Sequence, residues 1–172
     1  ATLKVDGPCV VQYPKDGIVP YAQNVTGEPF AVGKWQTLIP GGQDAVILAY
    51  GRMTLNAIQA SELLVKCGLS VGVIDCCSLK PMDMDCLRAL FARGAKLITV
   101  EEGEMIGGFG SEIARVCVEE NADAPIQIIG LENRFITHGS VPELLEECGL
   151  MPRQLADRIE KIVDNKEKSH VG

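Results

Sequence analysis

The chain has 172 residues, 47% of them hydrophobic and 23% charged, with 16 basic against 23 acidic side chains and a net charge of −7. That composition describes one folded domain with a modest extension, large enough to hold together without disulfides or a metal, and it argues against disorder. The acidic balance, with no basic stripe interleaved with aromatics, excludes a nucleic-acid track. The longest apolar run, Ala45–Tyr50, is one strand long, far short of the roughly 18 residues of a membrane span.

Ala1–Gly7 has no basic stretch followed by an apolar one, so it does not read as a secretory signal, and a cytoplasmic location is expected. Seven cysteines are present without C-x-x-C spacing, and the two histidines, His138 and His170, share no short motif with them. Reduced cysteines serving as small apolar residues fit better than zinc, and no metal ligands are assigned.

In chain order, Cys9–Tyr13 reads as a β-branched strand closed by Pro14. Residues 17–43 read as a linker rich in Gly, Pro, Asn and Gln, with one short apolar strand at Trp35–Ile39. From Asp44 the pattern is regular. Strands are predicted near 45–50, 70–75, 96–100 and 126–130, and helices near 54–67, after Asp83, and near 110–119. Ala57, Ala60, Leu64 and Cys67 form the inward stripe of the first helix, with Gly68 ending it. Asp83 is the N-cap of the second. Ser140-Val141-Pro142-Glu143 opens a further helix with a capping box, and a last helix carries Leu155, Ile159 and Ile162 on one face. Strands alternating with helices predict an α/β fold, a three-layer α/β/α sandwich around a mostly parallel sheet of about five strands. The domain spans 44–163 and residues 164–172 form a polar tail. Residues 1–16 stand apart from it, as an added edge strand or the last strand of a preceding domain; the missing initiator Met points to a longer chain.

The densest motif is Glu101-Glu102-Gly103-Glu104-Met105-Ile106-Gly107-Gly108-Phe109-Gly110-Ser111. A strand end, a glycine turn and a helix start offer free N–H groups, a chemistry suited to anions. Both G-x-G-x-x-G and Gly-Lys-Ser/Thr are absent, however, and the carboxylates at 101, 102 and 104 would repel a phosphate. Gly107, Gly108, Phe109 and Gly110 are therefore assigned to close packing or a subunit contact, with anion binding as the alternative. Glu101 and Glu102, as strand neighbours, point to opposite faces and make a poor acid/base pair. His138, in a loop just before the capped helix, is expected with Gly107–Gly110 on a surface used for subunit or domain contact. No nucleophile arrangement emerges, and no catalytic residue is assigned.

Gly7-Pro8-Cys9-Val10-Val11-Gln12-Tyr13-Pro14-Lys15 resembles the strand that ends the pyrimidine-binding domain of the 1-deoxy-D-xylulose-5-phosphate synthases. Asp44–Gly51, Lys80-Pro81-Met82-Asp83, Thr99–Glu102 and Gly107–Ser111 resemble the transketolase C-terminal domain. Phe135–Ser140 and Leu144–Leu150 favour the deoxyxylulose branch of that family. The resemblance implies a thiamin-diphosphate enzyme that joins pyruvate to glyceraldehyde 3-phosphate with loss of CO2, in the cytoplasm or a plastid stroma. It places the diphosphate, Mg²⁺ and the activating glutamate in upstream domains, so this segment would bind no cofactor and be inactive alone, shaping a homodimer. Gln12 stands where the family usually has a phosphate-clamping arginine, with Lys15 beside it, and glutamine cannot offer that charged fork. A transketolase half, a 2-oxo-acid dehydrogenase beta subunit and a stand-alone interaction module are the competing readings.

Overall fold

The structure is a computed structural model that describes residues 6–8, 10 and 31–164. Apart from Val10, which is exposed, the expected strand Cys9–Tyr13, with Gln12 and Lys15, and the tail beyond Asp164 therefore lie outside the described residues.

Among the described residues the elements are β1 (Gln36–Ile39), β2 (Ala45–Ala49), α1 (Arg52–Lys66), β3 (Val71–Asp75), α2 (Met84–Ala92), β4 (Leu97–Glu104), α3 (Phe109–Glu119), β5 (Ile126–Leu131), α4 (Val141–Glu147) and α5 (Pro152–Asp164). They form one sheet in the order β1-β3-β2-β4-β5, parallel except for β1, which runs antiparallel to β3. The predicted α/β class and mostly parallel sheet are what the chain adopts.

β2 lies in the middle of the sheet, buried along its whole length, which is why Ala45-Val46-Ile47-Leu48-Ala49 is a continuous apolar run instead of an alternating one. Its side chains divide between two layers. Ala45, Ile47 and Ala49 pack with Ala57, Ala60 and Leu64 of α1 and with Leu155 and Ile159 of α5. Val46 and Leu48 face the other way, toward Leu87 and Leu90 of α2 and Ile113 of α3. Adjacent side chains on a strand point to opposite faces, so one strand supplies both cores.

The helix ends follow the chemistry of their termini. Asp83 accepts a hydrogen bond from Cys86 N at 3.1 Å, as an N-cap should, and Glu143 reaches back to Ser140 N at 2.8 Å. A buried lysine, Lys96, donates from Nζ to Ile162 O at 2.8 Å, placing a cation at the carbonyl end of α5.

Two expectations are corrected. Cys67 is exposed, because α1 ends at Lys66 and Cys67 is its C-cap, where the chain leaves the helical stripe. β4 does not end at Val100: it continues to Glu104, which pairs with Leu131, with an irregularity in the register between them. The strand can continue past Val100 because the Glu101 side chain is accommodated inside the fold.

Candidate functional site

The C-terminal ends of β2, β3 and β4 meet at one edge of the sheet, where the loops after β2 and β4 depart to opposite faces. In open α/β sheets that crevice is the usual place for a ligand. Here its centre is the Glu101 side chain, 1% exposed. Phe109 N donates to Glu101 Oε2 and Gly110 N to Glu101 Oε1, each at 2.8 Å. These are the first two N–H groups of α3, the orphan donors that a helix N-terminus offers to an anion. The anion is the chain's own.

The glycines make room for this arrangement. A Cβ at Gly110 would lie 2.6 Å from Ile128 Cγ2 and collide with Thr99 Oγ1, while one at Gly130 would lie 2.9 Å from Gly103 O and 3.0 Å from Glu101 Cγ. α3 therefore approaches β4 and β5 closely enough for its backbone to reach a carboxylate in the strand layer. Thr99 Oγ1, beneath Gly110, is a buried hydroxyl without a hydrogen-bond partner. The turn is closed by Ser111, whose hydroxyl donates to Met105 O at 2.5 Å and accepts from Gly107 N at 3.2 Å.

Glu102 points away from Glu101, exposed and 3.4 Å from Arg52 Nη1. The two neighbouring carboxylates are thus separated by the pleat of the strand. Tyr50 continues from β2 over the same edge, its ring set edge-on against Phe109 at 5.5 Å. Burial, with the charges of Glu101 and Glu102, pushes the Tyr50 phenol above its ordinary range. At the end of β3, burial pushes the Asp75 carboxyl up, opposed by the hydrogen bond from Thr54 Oγ1 at 3.2 Å.

Between this edge and the β3–α2 loop lies a cleft of about 590 Å³. It is lined by Met82 and Met84 from the β3–α2 loop and the start of α2, by Phe109, Arg115 and Val116 of α3, and by Tyr50. None of the four lining residues Tyr50, Met82, Met84 and Arg115 stands out in the sequence as a site residue. The signal that locates them is topological: Tyr50 directly follows β2, the strand whose two sheet neighbours come later in the chain.

His138 lies elsewhere, exposed in the 132–140 loop that follows β5. That loop is tied to α4 by Arg134 Nη1 donating to Glu147 Oε1 at 2.9 Å and Thr137 Oγ1 donating to Glu147 Oε2 at 3.0 Å. Phe135 stands fully in solvent, at 103% exposure. The structure therefore brings together Glu101, Phe109 and Gly110, leaves Gly107 and Glu102 on the outside, and places His138 on the neighbouring loop.

The diphosphate and Mg²⁺ that the sequence resemblance implies do not fit these residues. The N–H groups that could cradle a diphosphate are engaged by Glu101, and Glu102 and Glu104 flank them. Among the described residues no group of three or more His, Cys, Asp or Glu is placed to hold a metal ion. No helix of the described residues is long and apolar enough to cross a membrane.

Residues 33–155 match the family model of the transketolase C-terminal domain. The chain belongs to that family. It is 39% identical over 166 residues to a 1-deoxy-D-xylulose-5-phosphate synthase of Geobacillus thermodenitrificans, a match covering 95% of this chain and 26% of that protein. The synthase of Exiguobacterium sibiricum is 33% identical over 171 residues, 99% of this chain and 27% of the relative. The chain thus spans about a quarter of the length of these curated relatives. Among solved structures, a split-gene transketolase described as an inactive β4 tetramer superposes with a TM-score of 0.69 at 35% identity, over 78% of this chain and 44% of that one. A Pichia stipitis transketolase in complex with sedoheptulose 7-phosphate gives a TM-score of 0.59 at 20% identity, over 79% of this chain and 19% of that one, which is a likeness of fold.

Proposed function

We propose that this chain is the C-terminal segment of a thiamin-diphosphate-dependent 1-deoxy-D-xylulose-5-phosphate synthase, with a structural and subunit-contact role and no catalytic group of its own. The observation that carries the reading is the match to curated synthases along 95% of the chain. It is supported by the chemistry of the Glu101 turn, which spends the anion-binding end of α3 on an internal carboxylate. In this reading the cofactor and metal belong to upstream domains, the active unit is a homodimer, and the glycine turn with Gly107 and Gly108, together with His138, faces a neighbouring domain or subunit. Gln12 and Lys15 belong to the region that meets the acceptor phosphate.

The test is a fusion in which this chain replaces the matching quarter of the Geobacillus thermodenitrificans synthase. It should convert pyruvate and glyceraldehyde 3-phosphate to 1-deoxy-D-xylulose 5-phosphate with release of CO2, while the 172-residue chain alone should not. Gln12→Arg in the fusion should lower the KM for the phosphorylated acceptor. A folded, dimeric fusion without synthase activity would reject the reading.

The likeness to the split-gene transketolase, at 35% identity over 78% of this chain, favours a second reading, a transketolase half with another acceptor. Ketol transfer to an aldose phosphate by the fusion, in preference to synthase activity, would select it.

A further inference from the structure

We propose that a slot between α2 and the edge strand β1 binds an amphipathic anion, a short aliphatic chain with one anionic head, the chain lying over Val46, Ile74 and Leu90 and the head meeting Arg93. The slot lies beside the first residues of β2 and β3, away from the Glu101 crevice at the carboxyl ends of the strands. It is independent of the synthase reading.

The sequence of two strands opens the slot. Val46 of β2 pairs with Gly72 of β3, and Gly72 puts no side chain on the face where Val46 and Ile74 pack toward α2. A Cβ at Gly72 would lie 3.3 Å from both Ile39 O and Gly41 O, so the chain leaving β1 passes directly over this floor. The register of β1 against β3 shifts between Thr37 and Ile39, an irregularity of the kind that bends an edge strand. Between the bent strand and α2 a volume of about 380 Å³ remains, within the range of small-ligand sites, roughly 300–1,000 Å³. Its floor residues Val46, Ile74 and Leu90 are buried, and Ile39 and Pro40 form the wall on the β1 side.

The charge of the lining names the occupant. In a chain of net charge −7, the cleft beside the glycine turn carries Glu101 and Glu112, and the groove between α1 and α5 carries Asp157 and Glu160. The slot is lined by no Asp or Glu, and its one charge is Arg93. Arg93 caps the end of α2 and donates from Nη2 to Gly41 O at 3.2 Å, which spans the mouth from the helix to the turn after β1. A guanidinium has five N–H donors, and the others of Arg93 meet no acceptor among the described residues. The nearby Asp83 carboxylate is already engaged by Trp35 N and Cys86 N. The other polar side chains of the lining are the Thr37 hydroxyl and the Cys86 thiol. Burial, and then the charge of Asp83, push that thiol up against the pull of Arg93, so it stays neutral and does not repel an anion. An apolar floor with a single cation at its mouth matches a molecule that is apolar along its length and anionic at one end.

Cys86, half-buried in the wall of the slot, reads its occupancy. The 172-residue chain would be alkylated with N-ethylmaleimide in the presence and absence of octanoate, and each cysteine followed by mass spectrometry. Octanoate should slow Cys86 by at least about fivefold, as mass action requires once the site fills, and leave Cys67, exposed at the end of α1, unchanged. Octyl phosphate, tested separately, distinguishes a phosphate head from a carboxylate; protection by either supports the site, and protection by neither overturns it. Octanol, which lacks the charge, and acetate, which lacks the chain, should protect far less. Equal protection by octanol or by acetate would overturn the proposal. Arg93→Gln should remove most of the protection, and Ala89→Phe, at an exposed position on the same wall, should fill the slot and abolish it. Full protection in both variants, each checked for an unchanged melting transition, would contradict the site. Slowing of Cys86 that grows with protein concentration, without any added anion, would make a second copy the occupant and reject the ligand. In the fusion with the Geobacillus thermodenitrificans synthase, active or not, Cys86 should stay reactive and be protected by the same anion. A Cys86 closed to maleimide there would assign the slot to a domain contact and overturn the proposal.

Discussion

Two loops leave neighbouring parallel strands at the same end of the sheet and are built in opposite ways. The turn after β4 is organised around a buried carboxylate, with the backbone of α3 drawn onto it and glycines where side chains would collide. The loop after β5 is held by surface pairs to Glu147 and presents Phe135 and His138 to solvent. The glycine-rich sequence, which suggests a ligand loop, encodes internal packing. The plainer sequence carries the unpartnered aromatic. Motif density therefore reports close backbone approach, and exposure reports availability to a partner.

Substitutions should separate the two loops by the size of their effects. The largest loss is expected for Glu101→Ala, which leaves two buried N–H groups without an acceptor and the end of α3 without its counter-charge: about 3 kcal/mol in urea unfolding. A loss under about 1 kcal/mol would mean that water or another group replaces the carboxylate. Gly110→Ala should cost about 2 kcal/mol, because its methyl meets Ile128 and Thr99 in a packed layer. Gly107→Ala should cost about 1 kcal/mol, since nothing stands within 4 Å of its Cβ and only the φ of +75° opposes it. Phe135→Ser, on the other loop, should change stability by less than about 0.5 kcal/mol. A large loss there would show that Phe135 packs against the chain itself and would erase the contrast.

Acid titration sharpens the same comparison. Burial alone would raise the Asp83 carboxyl, but hydrogen bonds from Trp35 N and Cys86 N and the charge of Lys34 outweigh it and hold it below the usual range. A folded pKa lower than the unfolded one adds stability above the unfolded value, about 4, and that stability is lost as pH falls through the folded value. Asp83→Asn should therefore flatten the pH dependence of the melting temperature below about pH 4. Glu147 is also lowered, by Arg134 and then Thr137, yet it is exposed and screened by solvent. Glu147→Gln should leave the acid limb of the curve almost unchanged.

Much of the fold is legible in the sequence, because local signals agree with one another. The buried run at β2, the N-cap Asp83 and the box from Ser140 to Glu143 each mark an element by its own chemistry. The continuation of β4 through Glu101-Glu102 is not legible in the same way. Two adjacent carboxylates read as a strand end, and only the donors of α3, eight and nine residues further on, make one of them an interior residue. Cys67 escapes for a related reason: helical spacing carries it inward, but the helix ends one residue before it. The cleft is not legible from motifs at all, since Tyr50, Met82 and Arg115 come from separate segments that only the strand order brings together.

The central claim is that the anion site of the glycine turn is filled from within by Glu101, which leaves the first N–H groups of α3 no place for a diphosphate. Titration calorimetry of the 172-residue chain with thiamin diphosphate and Mg²⁺ tests it most directly. The account predicts no binding heat for the wild-type chain, whereas saturable micromolar binding, lost in Gly108→Asp, would place a complete diphosphate site at the turn and contradict it.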